Sequence, residues 1–381
     1  MHIGFITPEF PHEDFVGSVG GIGTFVKNLS ISLIDEGNEV SIFIFNQSQK
    51  KIYKKDRLTI HHVSFLRFPG FTGWFGRKHF NRYLNQKIKE DKIDLVEAPD
   101  WAGYTAFMKF ACPLVIRLHG TDTYFCNLEK RKVKRKNRFL ENNALKTADT
   151  LVGVSHFVAN ETKKLFSIKK EIKVIYNGVS VEKFSPNHLK IEKKNILYFG
   201  TIIRKKGVIS LAKMFSLLVE KEKDVTLTFL GRDTVDFFEE TSTLNLCLKE
   251  MSEAARARFR YLEAVPYEEV QEKIKCADIV ILPSYAEAFP MTWLEAMALE
   301  KKMITSNIGW AKELMIDGET GYTINPDDIQ DFLQKTHNLL ANTDDVIDFG
   351  KNARERIKTH FNQQMLVTKN IEMYETLINE H

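Results

Sequence analysis

Two glutamates, Glu287 and Glu295, frame the segment Ala288-Phe289-Pro290-Met291-Thr292-Trp293-Leu294. The segment follows the apolar run Ile279 to Leu282, which reads as a strand ending at Pro283. Pro290 suits the first turn of the next helix, where its missing N–H is not needed. Glu287 then lies in the loop ahead of the helix. Glu295 lies about 7.5 Å further along the axis, at about 1.5 Å per residue. Helical side chains lean towards the N-terminus, so both carboxylates can face one ligand spanning the helix start. Free N–H groups at such a start suit a pyrophosphate, held between the two glutamates. Glu287 is equally well explained as an ordinary partner of the helix dipole. Glu295 is not, because Leu294 and Ala296 flank it on a helix that reads as buried.

Three other strand-end loops carry candidate groups. Gly200-Thr201-Ile202-Ile203-Arg204-Lys205-Lys206-Gly207 sets three cations between two glycines, after one strand and before a helix over Val208 to Glu220. That arrangement suits a phosphate, although a charge run is also ordinary solvated surface. Gly20-Gly21-Ile22-Gly23 leads into a helix from Thr24 to Glu36, and its N–H groups could approach an anion or form a plain turn. His119 ends the run Leu114 to Leu118 beside Gly120, as a functional group or as a hydrogen-bonded structural histidine. No Asp-x-Asp occurs in the chain, so no divalent ion is demanded.

These loops need elements to hold them. Strands are expected at His2 to Ile6, Glu39 to Phe45, Leu95-Val96, Leu114 to Leu118, Thr150 to Val154 and Lys173 to Ile175. A second series is expected at Ile196 to Phe199, Val225 to Leu230, Arg258 to Leu262, Ile279 to Leu282 and Met303 to Thr305. Gly37 closes the first helix as a C-terminal glycine should. Strands alternating with helices imply an α/β fold of parallel sheets covered on both faces. The polar stretch Asn177 to Lys194 separates the two series. Ligands of such sheets bind at the carboxyl ends of the strands, so the two doubly wound domains are expected to face a cleft.

Composition agrees. The chain has 381 residues, 43% hydrophobic and 27% charged, with a formal net charge of +4. That length is enough for two domains with real cores, and the composition excludes a mainly disordered chain. A charge of +4 does not by itself indicate nucleic-acid binding. No run is long and apolar enough for a membrane-spanning helix, and Met1 to Glu9 lacks the character of a secretory leader. The four cysteines (Cys112, Cys126, Cys247, Cys276) show no close pairing. Neither a zinc site nor a disulfide framework is indicated, and a cytoplasmic location is expected.

At these residues the chain resembles glycosyltransferase family 4, also called glycosyl transferases group 1, over essentially its whole length. The strongest element is the Glu287 to Glu295 motif followed by Ala296-Met297-Ala298. Also similar are Gly20-Gly21, Asp100-Trp101, His119-Gly120, Val154-Ser155, Asn177-Gly178-Val179, Phe184-Ser185-Pro186, Lys206-Gly207, Glu313 and Asp317 to Gly321. The resemblance implies the GT-B architecture of two Rossmann-like domains. Residues 1–180 would be the acceptor domain and 181–360 the nucleotide-sugar domain, with 361–381 a helix returning to the first. It also implies a retaining transferase acting on a nucleotide-sugar. Lys206 would contact the donor diphosphate, with the Gly21 backbone approaching the same group. Glu295 would bind the ribose. Glu287 and His119 would hold hydroxyls of the transferred sugar. Backbone groups around Phe289, Met291 and Thr292 would complete the site. Four positions depart from the common pattern. Thr201 replaces an arginine whose charge Arg204 would supply, Pro290 replaces a glycine, Trp310 follows Gly309 in place of a second glycine, and Ser180 replaces an aspartate.

The expected reaction is transfer from a UDP- or GDP-sugar to a glycan or lipid-linked acceptor in cell-surface polysaccharide or glycolipid synthesis. No metal or other cofactor and no nucleic acid is expected. The alternatives are a non-catalytic nucleotide-sugar-binding partner in a glycan assembly complex, or another GT-B enzyme such as a sugar-nucleotide epimerase. Two segments suggest peripheral contact with the inner face of the plasma membrane: the aromatic and basic loop Arg67 to Lys78, and the run Lys130 to Lys136, read as helical. Each is also explained as solvated surface.

Overall fold

The structure is a computed structural model. It describes residues 1–12, 20–47, 50–64, 72–186, 189–341 and 348–381, with side chains excepted at 46 and 72–74. Residues 67–71 of the expected loop Arg67 to Lys78 therefore lie outside the described residues, and 72–78 belong to the helix Thr72–Glu90 rather than to a loop. The chain forms two compact units, one of Met1–Gly178 with Gln363–His381, the other of Val179–Asn362.

The first unit contains β1 (His2–Thr7), β2 (Glu39–Gln47), β3 (Lys51–Lys55), β4 (Leu58–Ser64), β5 (Leu95–Pro99), β6 (Leu114–Leu118), β7 (Thr150–Gly153) and β8 (Ile172–Val174). They form one sheet in the order β3-β4-β2-β1-β5-β6-β7-β8. All pairs are parallel except β3 with β4. The central strands are continuous apolar runs because helices cover both faces; Val40, Ile42, Phe43 and Ile44 are wholly buried. The β3–β4 hairpin was not expected from the sequence. Three lysines leave β3 mostly exposed, and the turn into β4 rests on Asp56 at φ 51°. The helix Gly21–Asp35 ends as expected, with Gly37 at φ 85° and Asn38 N–H bonded to Leu33 O at 3.0 Å.

The helix Gln363–Glu380 completes this unit's core with Leu366, Val367, Met373 and Tyr374. A buried polar network fixes it there. Arg117 of β6 pairs with Glu97 of β5 through two contacts, Nε to Oε1 at 2.6 Å and a terminal nitrogen to Oε2 at 2.9 Å. The same nitrogen donates to Asn370 Oδ1 at 2.5 Å, and Tyr374 donates to Glu97 Oε2 at 2.6 Å.

The second unit contains β9 (Glu192–Phe199), β10 (Thr226–Leu230), β11 (Phe259–Leu262), β12 (Ala277–Leu282), β13 (Lys302–Ser306) and β14 (Tyr322–Ile324). The order is β11-β10-β9-β12-β13-β14, all parallel. The chain winds one way from β9 and the other way from β12. Such a sheet reverses direction between those two strands, and a crevice opens there at their carboxyl ends.

Replacing Arg117 by alanine leaves Glu97 buried without its cation. The expected cost is about 3–5 kcal/mol, read from urea unfolding. A loss below about 1 kcal/mol would mean that the network does not hold the last helix in place.

Candidate functional site

The reversal between β9 and β12 brings two of the loops singled out in the sequence against each other. Gly207 takes φ 75°, and a Cβ on it would lie 2.0 Å from Pro283 O. Only a glycine permits that backbone approach. Tyr285 N–H donates to Lys205 O at 2.7 Å, a second tie between the loops. A Cβ on Gly200 would lie 3.9 Å from Thr292, so the end of β9 also reaches the start of the helix Met291–Ala298.

Lys206 and Glu287 form an ion pair on this frame, both largely shielded from solvent. Pro290 is the residue just ahead of the helix rather than in its first turn, and the helix begins at Met291. The N–H groups of Trp293 and Leu294 turn back to Pro290 O at 3.2 and 3.5 Å. Those of Met291 and Thr292 have no acceptor among the described residues. A cation, a carboxylate and two available N–H groups thus meet at one helix start. The arrangement can hold an anion and a hydroxyl-bearing group beside it. Phe289 is buried against Phe361, with ring centroids 5.4 Å apart.

Glu295 sits further along the same helix, 3% exposed. Its carboxylate accepts a hydrogen bond from the Tyr267 hydroxyl. Burial pushes its pKa up to about 7, partly opposed by Tyr267 and by the nearby Lys183. Lys183 also lies 4.9 Å from the centre of the Tyr267 ring. Tyr267 went unnoticed in the sequence. A tyrosine opening a polar helix, 28 residues before the glutamate it binds, carries no local signal.

Arg204 has a different partner. Its guanidinium grips Asp236 through two contacts of 2.7 and 2.9 Å. This holds the Asp236 carboxyl below its usual pKa and spans the loops after β9 and β10. Trp310 is fully buried. Tyr198, at the end of β9, donates to Thr201 O at 2.7 Å.

Gly21 and His119 belong to the first unit. The helix there starts at Gly21, not Thr24, so Gly21 and Gly23 form its first turn. Gly23 N–H is already engaged by the Glu9 carboxylate at 2.8 Å, while Gly21 is exposed. His119 follows β6. Its backbone N–H and that of Gly120 donate to the buried Asp100 at 2.9 and 3.2 Å. Its ring meets Phe25 edge-on at 4.8 Å. Burial, aided by Arg117, lowers its pKa to about 3, so the imidazole is neutral near pH 7. Among the described residues no cluster of three or more His, Cys, Asp or Glu side chains could hold a metal. Among the described residues no helix is long and apolar enough to cross a membrane.

Comparison with known proteins identifies the fold and the family. Sucrose-phosphate synthase from Thermosynechococcus elongatus superposes with a TM-score of 0.82 over all of both chains, at 18% identity. HepE from Anabaena, in complex with UDP and glucose, gives a TM-score of 0.75 at 16% identity, covering 98% of this chain and 99% of that one. The fold is that of the GT-B glycosyltransferases. The model for "Glycosyltransferase Family 4" matches residues 19–183, and that for "Glycosyl transferases group 1" matches residues 180–356. An uncharacterised glycosyltransferase of Methanocaldococcus jannaschii is 24% identical over 352 residues, covering 86% of this chain and 87% of that protein. The chain belongs to the family 4, or group 1, glycosyltransferases.

Glu295 gives a pH-dependent test of this geometry. Its folded pKa of about 7 lies above the usual carboxylate value. The folded state therefore binds the proton more tightly, and stability falls as pH rises from about 4.5 to about 7. Glu295→Gln removes that loss. The variant should exceed the parent by a few kcal/mol above pH 7, at about 1.4 kcal/mol per pKa unit, and the gap should close near pH 4.5. A gap that ignores pH in urea unfolding would show that the burial does not act on this carboxyl.

Proposed function

We propose that this chain is a retaining glycosyltransferase that moves a sugar from a UDP- or GDP-linked donor to a glycan or lipid-linked acceptor, without a divalent metal. The observation that carries the reading is the Lys206–Glu287 pair beside the available N–H groups of Met291 and Thr292. Breaking the bond between the anomeric carbon and the diphosphate oxygen moves negative charge onto the diphosphate. Lys206 and the two N–H groups stabilise that charge in a fixed, partly dry site. A cation and a helix start thus take the role a metal would otherwise fill.

Glu287 serves as the acceptor of a hydroxyl of the transferred sugar, and its ion pair with Lys206 orients it. Glu295 accepts from the ribose hydroxyls, with Tyr267 as its neighbour. Neutral His119 is read as a hydrogen-bonding group for a sugar hydroxyl. The acceptor hydroxyl attacks from the face the diphosphate leaves, and its proton passes to the departing phosphate oxygen, so configuration is retained. HepE, crystallised with UDP and glucose, supports the nucleotide class.

A second reading, a non-catalytic nucleotide-sugar-binding partner, draws on Arg204. Its grip on Asp236 diverts the cation that would make up for Thr201. The two readings separate by assay. Thermal unfolding with UDP, GDP, ADP and their common sugars identifies the donor; a ligand at about 100 times its dissociation constant adds about 2.7 kcal/mol. With that donor, Lys206→Ala and Glu295→Ala should each lower turnover or slow donor hydrolysis at least about a hundredfold, and EDTA should leave the parent's rate unchanged. Unchanged rates in both variants would sink the transferase reading. Donor binding with no turnover would favour the second.

A further inference from the structure

The basic run of the sequence lies beside a feature that the proposed transfer does not use. The segment Arg131 to Lys134 is irregular, and the helix begins only at Arg135, so the run is not the helix expected of it. From there Arg135, Arg138, Phe139, Asn142 and Lys146 fall at helical spacings that place them on one stripe. The helix buries Glu141, Ala144 and Leu145 on another side. Phe139 is 61% exposed. Phe107, 52% exposed, leans against it with ring centroids 5.8 Å apart. Phe107 holds φ at 64°, a backbone conformation that bulky residues rarely adopt. Its N–H is bound by Asn143 Oδ1 of the same helix at 2.8 Å. The helix therefore fixes an aromatic pair pointing outwards.

Cations surround the pair. Lys132, Lys134, Arg135, Lys136 and Lys146 are exposed and have no acidic partner among the described residues. The neighbouring acids are occupied. Arg131 binds Glu129 at 2.8 Å and approaches Asp122 at 3.9 Å, and buried Glu141 accepts from the Thr123 hydroxyl at 2.5 Å. Arg135 and Arg138 also line an open recess of about 320 Å³ whose other wall is Leu165, Phe166 and Ser167. Arg138 donates to Leu165 O at 3.1 Å, which fixes its head at the recess.

We propose that this face binds the surface of an anionic bilayer. Phe107 and Phe139 enter the interface, and Arg135 and Arg138 hold a lipid phosphate at the recess. Aromatic rings flanked by long cationic side chains suit the boundary between headgroups and acyl chains. Each cation near an anionic leaflet strengthens binding several-fold. A nucleic-acid strand would need open ring faces on which bases stack. Here the two rings lean on each other at 42°, which covers part of each face. The proposal is independent of the transfer reaction, and its failure would leave that reading untouched.

Co-sedimentation of the full chain with vesicles tests it. Vesicles of equal parts phosphatidylcholine and phosphatidylglycerol should retain the protein at low salt, and pure phosphatidylcholine should not. Arg135→Glu with Arg138→Glu should weaken retention more than about tenfold. Phe139→Ser should remove the part that survives high salt. Each variant should unfold at the parent's temperature, since all three side chains are exposed. No retention of the parent overturns the proposal, as does retention that ignores the paired reversal. Complete displacement by glycerol phosphate would point to a soluble phosphate ligand and overturn the bilayer reading. Equally tight binding of single-stranded RNA, lost on the same reversal, would also overturn it.

Discussion

A methyl group has no room at Gly207, and the candidate site depends on that fact. A Cβ there would overlap Pro283 O, and one on Gly231 would lie 2.1 Å from Gly200 O. Backbone therefore packs directly on backbone where β9, β10 and β12 end. These contacts seat Lys206 against Glu287, in the loop that runs into the start of the next helix. The binding groups come from loops 81 residues apart in the chain, and the close approach makes one surface of them. The ion pair adds orientation to a geometry the glycines have already fixed.

Much of this was legible because parallel sheets advertise themselves. Continuous apolar runs such as Ile42 to Phe45 and Ile279 to Leu282 admit few other readings, and loops after such strands are where ligands bind. Glu287 and Glu295 were readable from a loop, a proline and an apolar helix in sequence. What stayed hidden was which side chain meets which across the fold. Arg204 and Lys206 look alike in the sequence, yet Asp236, thirty-two residues away, takes one and Glu287 takes the other. The short strands β3 and β14 escaped notice because neither carries a strong apolar run: β3 is mostly exposed, and β14 spans only three residues. Charge alone could not distinguish a helical from an irregular Lys130 to Lys136. The helix begins at Arg135, where the residues to be buried start to recur at helical spacing.

The two glutamates show how one residue type takes two characters. Glu287 is held beside a cation at the edge of solvent. Glu295 is packed among apolar neighbours with a tyrosine hydroxyl as its hydrogen-bond donor, and its proton affinity rises accordingly. In the first unit the same logic keeps His119 uncharged, two positions after a buried arginine that is itself paired with Glu97. Burial sets the protonation state first, and the neighbouring charges then adjust it.

The helix Gln363–Glu380 has a consequence for how the chain is built. Its Asn370 and Tyr374 meet Arg117 and Glu97 across separations of 253 and 277 residues. During synthesis the whole of the second unit leaves the ribosome before the helix that completes the first. The second unit has all its strands while the first still has an uncovered strip of sheet, with Arg117 and Glu97 lacking two of their partners. The unit that starts first is therefore finished last, and its exposed strip is what a chaperone would meet on the nascent chain.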